Sequence, residues 1–336
     1  IIGCTFYTCS PEVPDYLNQL VQSERFFHLT YDANSRLSEF GGSLSGSNFL
    51  EKFKVIKDIL SYSFRFKDLC KKEDIDVVHC NSIRAILTVG VGAKLAGCRV
   101  VLYIKSNLVG YIYCILSFFL ADLILFQTET NKSRAPKSLL ILFKYKFRIL
   151  KNAIDMTRIN KASLTSTSQA IEDIEAHSIK LIYIGSIVER KGLRYLVNAL
   201  KRIKIYYPEF KLYIVGDEKQ DQIHTLELKD LIRKNDLQNN ISFLGHKKEP
   251  LNLLRIMDAL ILPSLDEGVP KCVIEAICIG VPVIATDVGG TAETIDNLNN
   301  GIIVDPGNEN ELYKGIKRFL QNKIHFVETA KRMSSE

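Results

Sequence analysis

Ala259-Leu260-Ile261-Leu262-Pro263-Ser264-Leu265-Asp266-Glu267-Gly268-Val269-Pro270-Lys271-Cys272-Val273-Ile274-Glu275-Ala276-Ile277-Cys278-Ile279-Gly280-Val281-Pro282-Val283-Ile284-Ala285-Thr286 reads as strand, loop, helix and strand in succession. Ala259–Leu262 is a short continuous apolar run, Val269–Ile279 a helix, and Val281–Thr286 a second strand. Such strands, separated by helices, belong to a parallel sheet covered on both faces. Glu267 in the loop and Glu275 in the helix stand eight positions apart. A loop carboxylate accepts hydrogen bonds from sugar hydroxyls, and backbone N–H groups at a helix start take an anion. Gly-Val-Pro, residues 268–270, lets backbone approach a ligand. Glu275 alone is an ordinary helix glutamate with Lys271 four residues before it.

The alternation continues on both sides. Leu181–Gly185, Lys211–Val215, Ile241–Leu244 and Ile302–Val304 read as strands. Gly192–Tyr206, Asp221–Lys234, Pro250–Met257 and Glu309–Gln321 read as helices, and Thr291–Asn297 as a helical turn. Ligands on parallel sheets bind beyond the C-terminal strand ends. Gly185, Gly216, Gly245 and the Glu267 loop all fall there, so four loops can converge on one ligand. Gly185-Ser186-Ile187-Val188-Glu189-Arg190-Lys191-Gly192 leaves a strand and opens a helix, a sound place for a diphosphate.

The first half is similar in type. Ile1–Phe6, Phe27–Tyr31, Val77–Cys80, Val100–Ile104 and Leu123–Gln127 read as strands, Phe49–Lys71 and Ile83–Ala96 as helices. Asn107–Phe126 is apolar and near membrane-spanning length. Asp122 interrupts it, and Leu120–Phe126 reads as a helix end running into a strand. The polar stretch Thr157–Gln169 separates the halves. The domains are therefore expected at 1–155 and 180–322, with a linker at 156–179 and a tail at 323–336. The chain opens on Ile1 rather than Met, and both ends are read as incomplete.

A length of 336 residues favours two domains. The net charge of +6 is uneven: residues 1–151 hold 20 Lys+Arg against 13 Asp+Glu. Lys144, Lys146, Arg148 and Lys151 form a basic run without an acid. That half suits an anionic membrane surface, or simply carries a solubilising charge. The eight cysteines show no C-x-x-C pair and read as small buried residues in a reducing compartment. No His, Cys and Asp cluster has metal-ligand spacing. His79, at a strand end, reads as a packed or surface group before a catalytic one. There is no Walker loop, G-x-S-x-G elbow or G-x-G-x-x-G.

Gly185…Lys191-Gly192, Val215-Gly216-Asp217, Phe243-Leu244-Gly245, Leu262-Pro263-Ser264…Glu267-Gly268…Glu275-Ala276…Gly280-Val281-Pro282-Val283-Ile284-Ala285-Thr286-Asp287-Val288-Gly289-Gly290…Glu293, Asn300-Gly301 and Pro306-Gly307 together resemble the family-4 retaining glycosyltransferases of GT-B fold. Asn152-Ala153-Ile154-Asp155 resembles that family's segment before the hinge. The resemblance covers about residues 180–320. It implies an α/β protein of two Rossmann-like domains, their parallel sheets facing across a cleft. The second domain would hold a nucleotide-sugar and the first the acceptor. Glu267 would contact the transferred sugar, Glu275 the ribose and Lys191 the leaving diphosphate. Gly185 and Ser186 would line the phosphates. Gly216 and Gly245 would frame the base. The segment Gly268, Val269, Pro270, Lys271 and Cys272 would line the donor, with N–H groups from within Val269–Cys272 offered to the phosphates. Ser186 stands where family members often carry Arg, with Arg190 as a candidate substitute. Thr8–Pro14 stands where many carry a Gly-Gly loop, and Lys105 where many carry His. The acceptor side would fall to His79 and Lys105. The helix with which family members usually end is read as absent.

The implied activity is metal-independent, cofactor-free transfer of a sugar from a UDP- or GDP-sugar, with retention, to a glycan or lipid-linked oligosaccharide. No nucleic-acid partner is expected. The expected place is the cytoplasm, with room for peripheral contact at the inner membrane face. The alternatives are a degenerate or truncated paralogue that binds nucleotide-sugar without turnover, and a nucleotide-sugar epimerase of the same fold.

Overall fold

The computed structural model describes residues 6–10, 26–30, 49–105, 108, 110–154, 156–157, 159 and 179–335. The expected linker, residues 1–5, Asp155 and the Thr8–Pro14 loop beyond Ser10 lie mostly or wholly outside them. The chain divides into two compact units. The first holds Ile1–Ile104, Val109–Leu125 and Pro136–Arg148; the second holds Lys105–Leu108, Phe126–Ala135 and Ile149–Glu336.

In the first unit β1 (Phe6–Ser10) and β2 (Phe26–Thr30) pair in parallel. β1 includes Phe6, the last residue of the strand expected at Ile1–Phe6; the rest of that expected strand lies outside the described residues. β3 (Val77–Cys80), β4 (Arg99–Ile104), β5 (Leu123–Phe126) and β6 (Phe147–Ile149) lie side by side in that order, with β3 and β4 parallel. Helix α1 (Phe49–Lys72) packs on α2 (Ile83–Ala96), whose N-terminus is capped by Ser82 accepting from the Ala85 N–H at 3.1 Å. Helix α3 (Tyr111–Leu120) has ten residues. At 1.5 Å per residue it covers about 15 Å, half a hydrocarbon core. Among the described residues no helix is long and apolar enough to cross a membrane. Asp122 accepts two bonds from Lys94 Nζ, at 2.7 and 2.9 Å, and one from the Val100 N–H at 2.7 Å. The charge that breaks the apolar run therefore fixes the turn from α3 into β5.

The basic run is not all surface. Lys146 Nζ turns inward and donates to the Phe118 and Ala121 carbonyls at 3.0 and 2.6 Å, closing the C-terminus of α3. Orphan carbonyls at a helix end attract a cation. Helix α4 (Lys137–Leu142) lies beside α3 through a 2.9 Å contact between the Tyr111 and Ser138 hydroxyls.

The second unit is built on six strands: β7 (Ile179–Ile184), β8 (Phe210–Val215), β9 (Ile241–Gly245), β10 (Ala259–Leu262), β11 (Val283–Thr286) and β12 (Gly301–Val304). Their order is β12-β11-β10-β7-β8-β9, every pairing parallel. All residues of β8, β10 and β11 are buried, as the mostly apolar strands of a parallel sheet covered on both faces must be; in β8 the Nζ of the buried Lys211 donates to the Asn239 carbonyl at 3.0 Å. Around them pack α5 (Leu193–Lys204), α6 (Gln222–Lys234), α7 (Lys271–Cys278) and α8 (Glu309–Gln321).

Prolines explain two shifted boundaries. Helix α7 begins at Lys271 because Pro270 is extended (φ −68°, ψ 122°) and serves as its N-cap. β11 begins at Val283 because Pro282 has no N–H for the ladder and contributes only its carbonyl, to the Leu260 N–H at 2.9 Å. Residues 291–297 open on a turn in which the Thr294 and Ile295 N–H groups donate to the Thr291 carbonyl at 3.1 and 3.3 Å; the Asp296 N–H goes to Asn300 Oδ1 at 2.9 Å. The expected tail is helical: α9 (Lys323–Ser335) buries Phe326 and Ala330, and Lys323 pairs with Asp258 at 2.8 Å.

Candidate functional site

The order of the second sheet reverses between β7 and β10. Chain direction moves outward from β7 through β8 and β9 on one side, and from β10 through β11 and β12 on the other. Ligands on a parallel sheet bind at such a switch point, beyond the ends of the two adjacent strands. The loop after β7 is 185–192 and the loop after β10 is 263–270.

These two loops are fastened together. The Leu265 N–H donates to the Arg190 carbonyl at 2.8 Å. Gly192 takes φ +67°, and a Cβ there would stand 2.0 Å from the Pro263 carbonyl oxygen. Beneath them Tyr183, fully buried, donates its hydroxyl to the Ser186 carbonyl at 2.7 Å. Burial raises the pKa of that phenol, and the nearby Arg190 charge pulls the other way. The arginine is exposed at the surface of the loop. The neighbouring strand ends join through backbone: Gly185 N–H to the Val215 carbonyl at 3.0 Å, Gly216 N–H to the Gly245 carbonyl at 3.1 Å. Gly185, Gly216 and Gly245 thus line three adjacent strand ends.

Lys191 and Glu267 form an ion pair between the loops, with side chains 12% and 9% exposed. Ser264 was not among the expected site residues. It is fully buried, and its hydroxyl donates to the same Glu267 Oε1 at 2.8 Å. Its own carbonyl accepts from Thr286 Oγ1 at 2.5 Å. Gly289, at φ +56°, packs so closely that a Cβ would lie 2.1 Å from the Glu267 carbonyl. The Gly290 N–H donates to the Gly268 carbonyl at 2.7 Å. The glycine pair is the floor on which the Glu267-Gly268 backbone rests.

Helix α7 points its first turn toward this pair. Pro270 makes no side-chain cap, which leaves N–H groups of the first turn available to a ligand. Cys272, half-buried in that turn, has its thiol pushed up to about 12, by burial first and then by Glu267; Lys191 and Glu275 act on it as well. One thiol therefore lies within electrostatic reach of Lys191, Glu267 and Glu275. Glu275 is half-buried one turn further along α7; Lys271 is exposed at its start.

Val269 sits at the other side of the Glu267 loop. Its carbonyl accepts from Asn152 Nδ2 at 3.2 Å, and Asn152 Oδ1 accepts from Gln127 Nε2 at 2.7 Å. These three residues, with Lys151, Glu293 and Thr294, border a cavity of about 270 Å³. Glu293 accepts from the Thr130 N–H and hydroxyl at 2.6 and 2.5 Å and from the Glu129 N–H at 3.1 Å, capping the short helix Glu129–Ser133. The Lys105 carbonyl lies beside Gly268, while the Lys105 residue itself is exposed. His79 belongs to the first unit, where it stacks on Tyr103 with ring centroids 6.0 Å apart.

One cluster has no counterpart in the sequence reading, which found no metal-ligand spacing. Glu189, from the loop after β7, meets His224 and Glu227 of α6 with ligand atoms within 4.8 Å of one another. His224 and Glu227 share a helix face at i, i+3, but Glu189 joins them only through the fold.

The arrangement offers a cation and a carboxylate, both nearly dehydrated, beside helix N–H groups at a sheet switch point. Such a cation stabilises negative charge far better than it would in water.

Comparison with known proteins gives the same direction. The profile of a family described as "Glycosyl transferases group 1" matches residues 166–336. An uncharacterized glycosyltransferase of Methanocaldococcus jannaschii is 34% identical over 186 residues, covering 55% of this chain and 44% of that relative. The chain thus matches less than half of that relative's length. The UDP-Gal:alpha-D-GlcNAc-diphosphoundecaprenol alpha-1,3-galactosyltransferase of Escherichia coli is 26% identical over 290 residues, 80% of this chain and 72% of that protein. Among solved structures, the Anabaena HepE protein in complex with UDP superposes with a TM-score of 0.75 at 14% identity, over 98% of this chain and 94% of that one. At that identity the likeness shows the fold, the α/β GT-B type with its parallel sheets.

Proposed function

The chain belongs to the glycosyl transferases group 1, and on that premise we propose that it moves a sugar from a UDP- or GDP-sugar to a glycan or lipid-linked acceptor, with retention and without a metal in the chemical step. The observation that carries the reading is the dehydrated Lys191–Glu267 pair at the switch point, under the first turn of α7.

The diphosphate lies against Lys191, the Gly185-Ser186 backbone and the N–H groups of Gly268, Val269, Lys271 and Cys272. Gly216 and Gly245 frame the base, and Glu275 takes the ribose hydroxyls. Glu267, held by Ser264, accepts from hydroxyls of the transferred sugar. The bond from the anomeric carbon to the diphosphate oxygen breaks as the acceptor oxygen bonds to that carbon on the same face. The acceptor's proton leaves on the departing diphosphate. Negative charge grows on the leaving oxygen and positive charge on the ring. Lys191 and the helix N–H groups stabilise the former, Glu267 the latter.

The acceptor reading draws on the E. coli relative, whose name specifies a diphosphoundecaprenol-linked acceptor. The first unit supports a membrane-bound acceptor. Ile112, Leu116 and Phe119 of α3 recur at helical spacing and are 70%, 49% and 62% exposed. Ile141, Leu142 and Tyr145 are exposed on and after the adjoining α4, with Lys144 and Arg148 beside them. Exposed apolar groups with cations suit the cytoplasmic face of an anionic membrane. His79 and Lys105 serve the acceptor side.

The test is calorimetric titration with UDP and GDP, then incubation with a panel of donors and membrane-extracted lipid acceptors, read by mass spectrometry. Mass addition of one hexose supports the reading. Binding without turnover would make the chain a non-catalytic paralogue, and interconversion of donor sugars an epimerase.

A further inference from the structure

We infer that Glu189, His224 and Glu227 form a binding site for a first-row divalent cation of the zinc, cobalt or nickel kind, outside the chemical step proposed above. His224 is 5% exposed, and neither ring nitrogen makes a hydrogen bond. Its Nδ1 faces Glu189 Oε2 at 3.5 Å. Glu227, exposed and one helical turn along α6, brings a second carboxylate, and all three ligand atoms lie within 4.8 Å of one another. Buried polar nitrogens without partners are uncommon and costly, about 1–3 kcal/mol each.

A plain ion pair between a protonated His224 and Glu189 explains part of this arrangement. It leaves Glu227 converging on Glu189 with no cation of its own. Arg194 stands 3.5 Å from Glu189 Oε1 and offsets that one carboxylate. Glu227 pairs with no lysine or arginine among the described residues. A divalent cation bound to a neutral imidazole cancels both carboxylates at once. One nitrogen and two carboxylate oxygens, with an exposed side for water, is a ligand set that zinc-type ions accept. Ligand atoms around bonds of about 2.0–2.2 Å lie about 3.3–3.6 Å apart. The two glutamates are exposed, so rotation of their side chains closes the remaining gap while the buried histidine stays fixed.

The site has a consequence for the crevice. Glu189 opens the single turn Glu189–Lys191, and the Lys191 N–H donates to the Val188 carbonyl at 2.9 Å. A cation shared by Glu189 and α6 clamps the turn that presents Lys191.

The experiment uses the full chain, freed of any polyhistidine tag and dialysed against chelator, titrated with Co2+ alone. The expected result is one Co2+ per chain, with a visible ligand-field band free of thiolate charge transfer, bleached by Zn2+. Glu227→Gln, at an exposed position, should weaken the affinity at least about tenfold, as even outer-shell changes do. His224→Asn should abolish the band, with circular dichroism confirming the fold; if it does not fold, Glu189→Gln replaces it. A featureless titration overturns the inference. So does a band that persists in Glu227→Gln, or one with sulfur character, which places the metal on a cysteine.

Discussion

Ser264 donates its buried hydroxyl to the oxygen of Glu267 that also faces Lys191. The serine is held in turn through its carbonyl by Thr286, at the end of the next strand. The carboxylate is therefore positioned from two sides, and under the proposed function the hydroxyl fixes which oxygen remains for the sugar.

Ser264→Ala should lower kcat for transfer about tenfold, or about 1.4 kcal/mol, while KM for the donor changes little. Steady-state kinetics check this. An equal rise in KM with kcat intact would place Ser264 in binding rather than in orientation.

Lys191→Met leaves Glu267 without its partner in a nearly dehydrated place. A broken buried pair costs about 3 kcal/mol or more, and replacing both members costs far less. In urea denaturation, Lys191→Met should be clearly less stable than the double variant Lys191→Met/Glu267→Gln. Both should lose transfer by at least about a hundredfold. Additive stability losses would show that the two side chains do not interact.

Gly289→Ala should abolish donor binding, because the new Cβ drives into the Glu267 carbonyl. Gly97→Ala is the control: Gly97 ends α2 at φ +93° with nothing within 4 Å of the added carbon. It should cost about 1 kcal/mol of stability from backbone strain alone and leave UDP binding intact. Calorimetry on both variants separates the two kinds of cost.

Acid stability should depend on Asp122 and Glu293. Burial pulls both carboxyls upward. For Asp122 the Lys94 and Val100 bonds outweigh burial, and for Glu293 the Thr130 and Glu129 bonds do, so both lie below their ordinary values of 3.8 and 4.5. The unfolded chain then takes up these protons at higher pH than the folded one. Their contribution is whole above the ordinary values and drains away as pH falls through the folded ones. Urea midpoints measured from pH 6 to pH 3 should decline less steeply in Asp122→Asn/Glu293→Gln. An unchanged slope would assign acid unfolding to other groups.

The strands of the second sheet were legible as short, mostly apolar runs, buried throughout in Ala259–Leu262 and Val283–Thr286. Gly185, Gly216 and Gly245 could be placed at strand ends for the same reason. Pairing was not legible: Lys191 and Glu267 lie 76 residues apart, and no local pattern says that they touch. Ser264 read only as part of the motif, and its burial against Glu267 comes from the fold. Lys146 looked like one more surface cation, until the carbonyls ending α3 drew it inward. Glu189 needed the turn after β7 to swing it over α6. In each case local pattern gave the element, and contact between distant segments gave the partner.

Cys272 stands within electrostatic reach of Lys191, Glu267 and Glu275, and burial raises its thiol to about 12, which disfavours the thiolate. Peroxides and alkylating agents attack the anion, not the neutral form. Burial thus makes the Cys272 sulfur less reactive than that of an ordinary exposed cysteine.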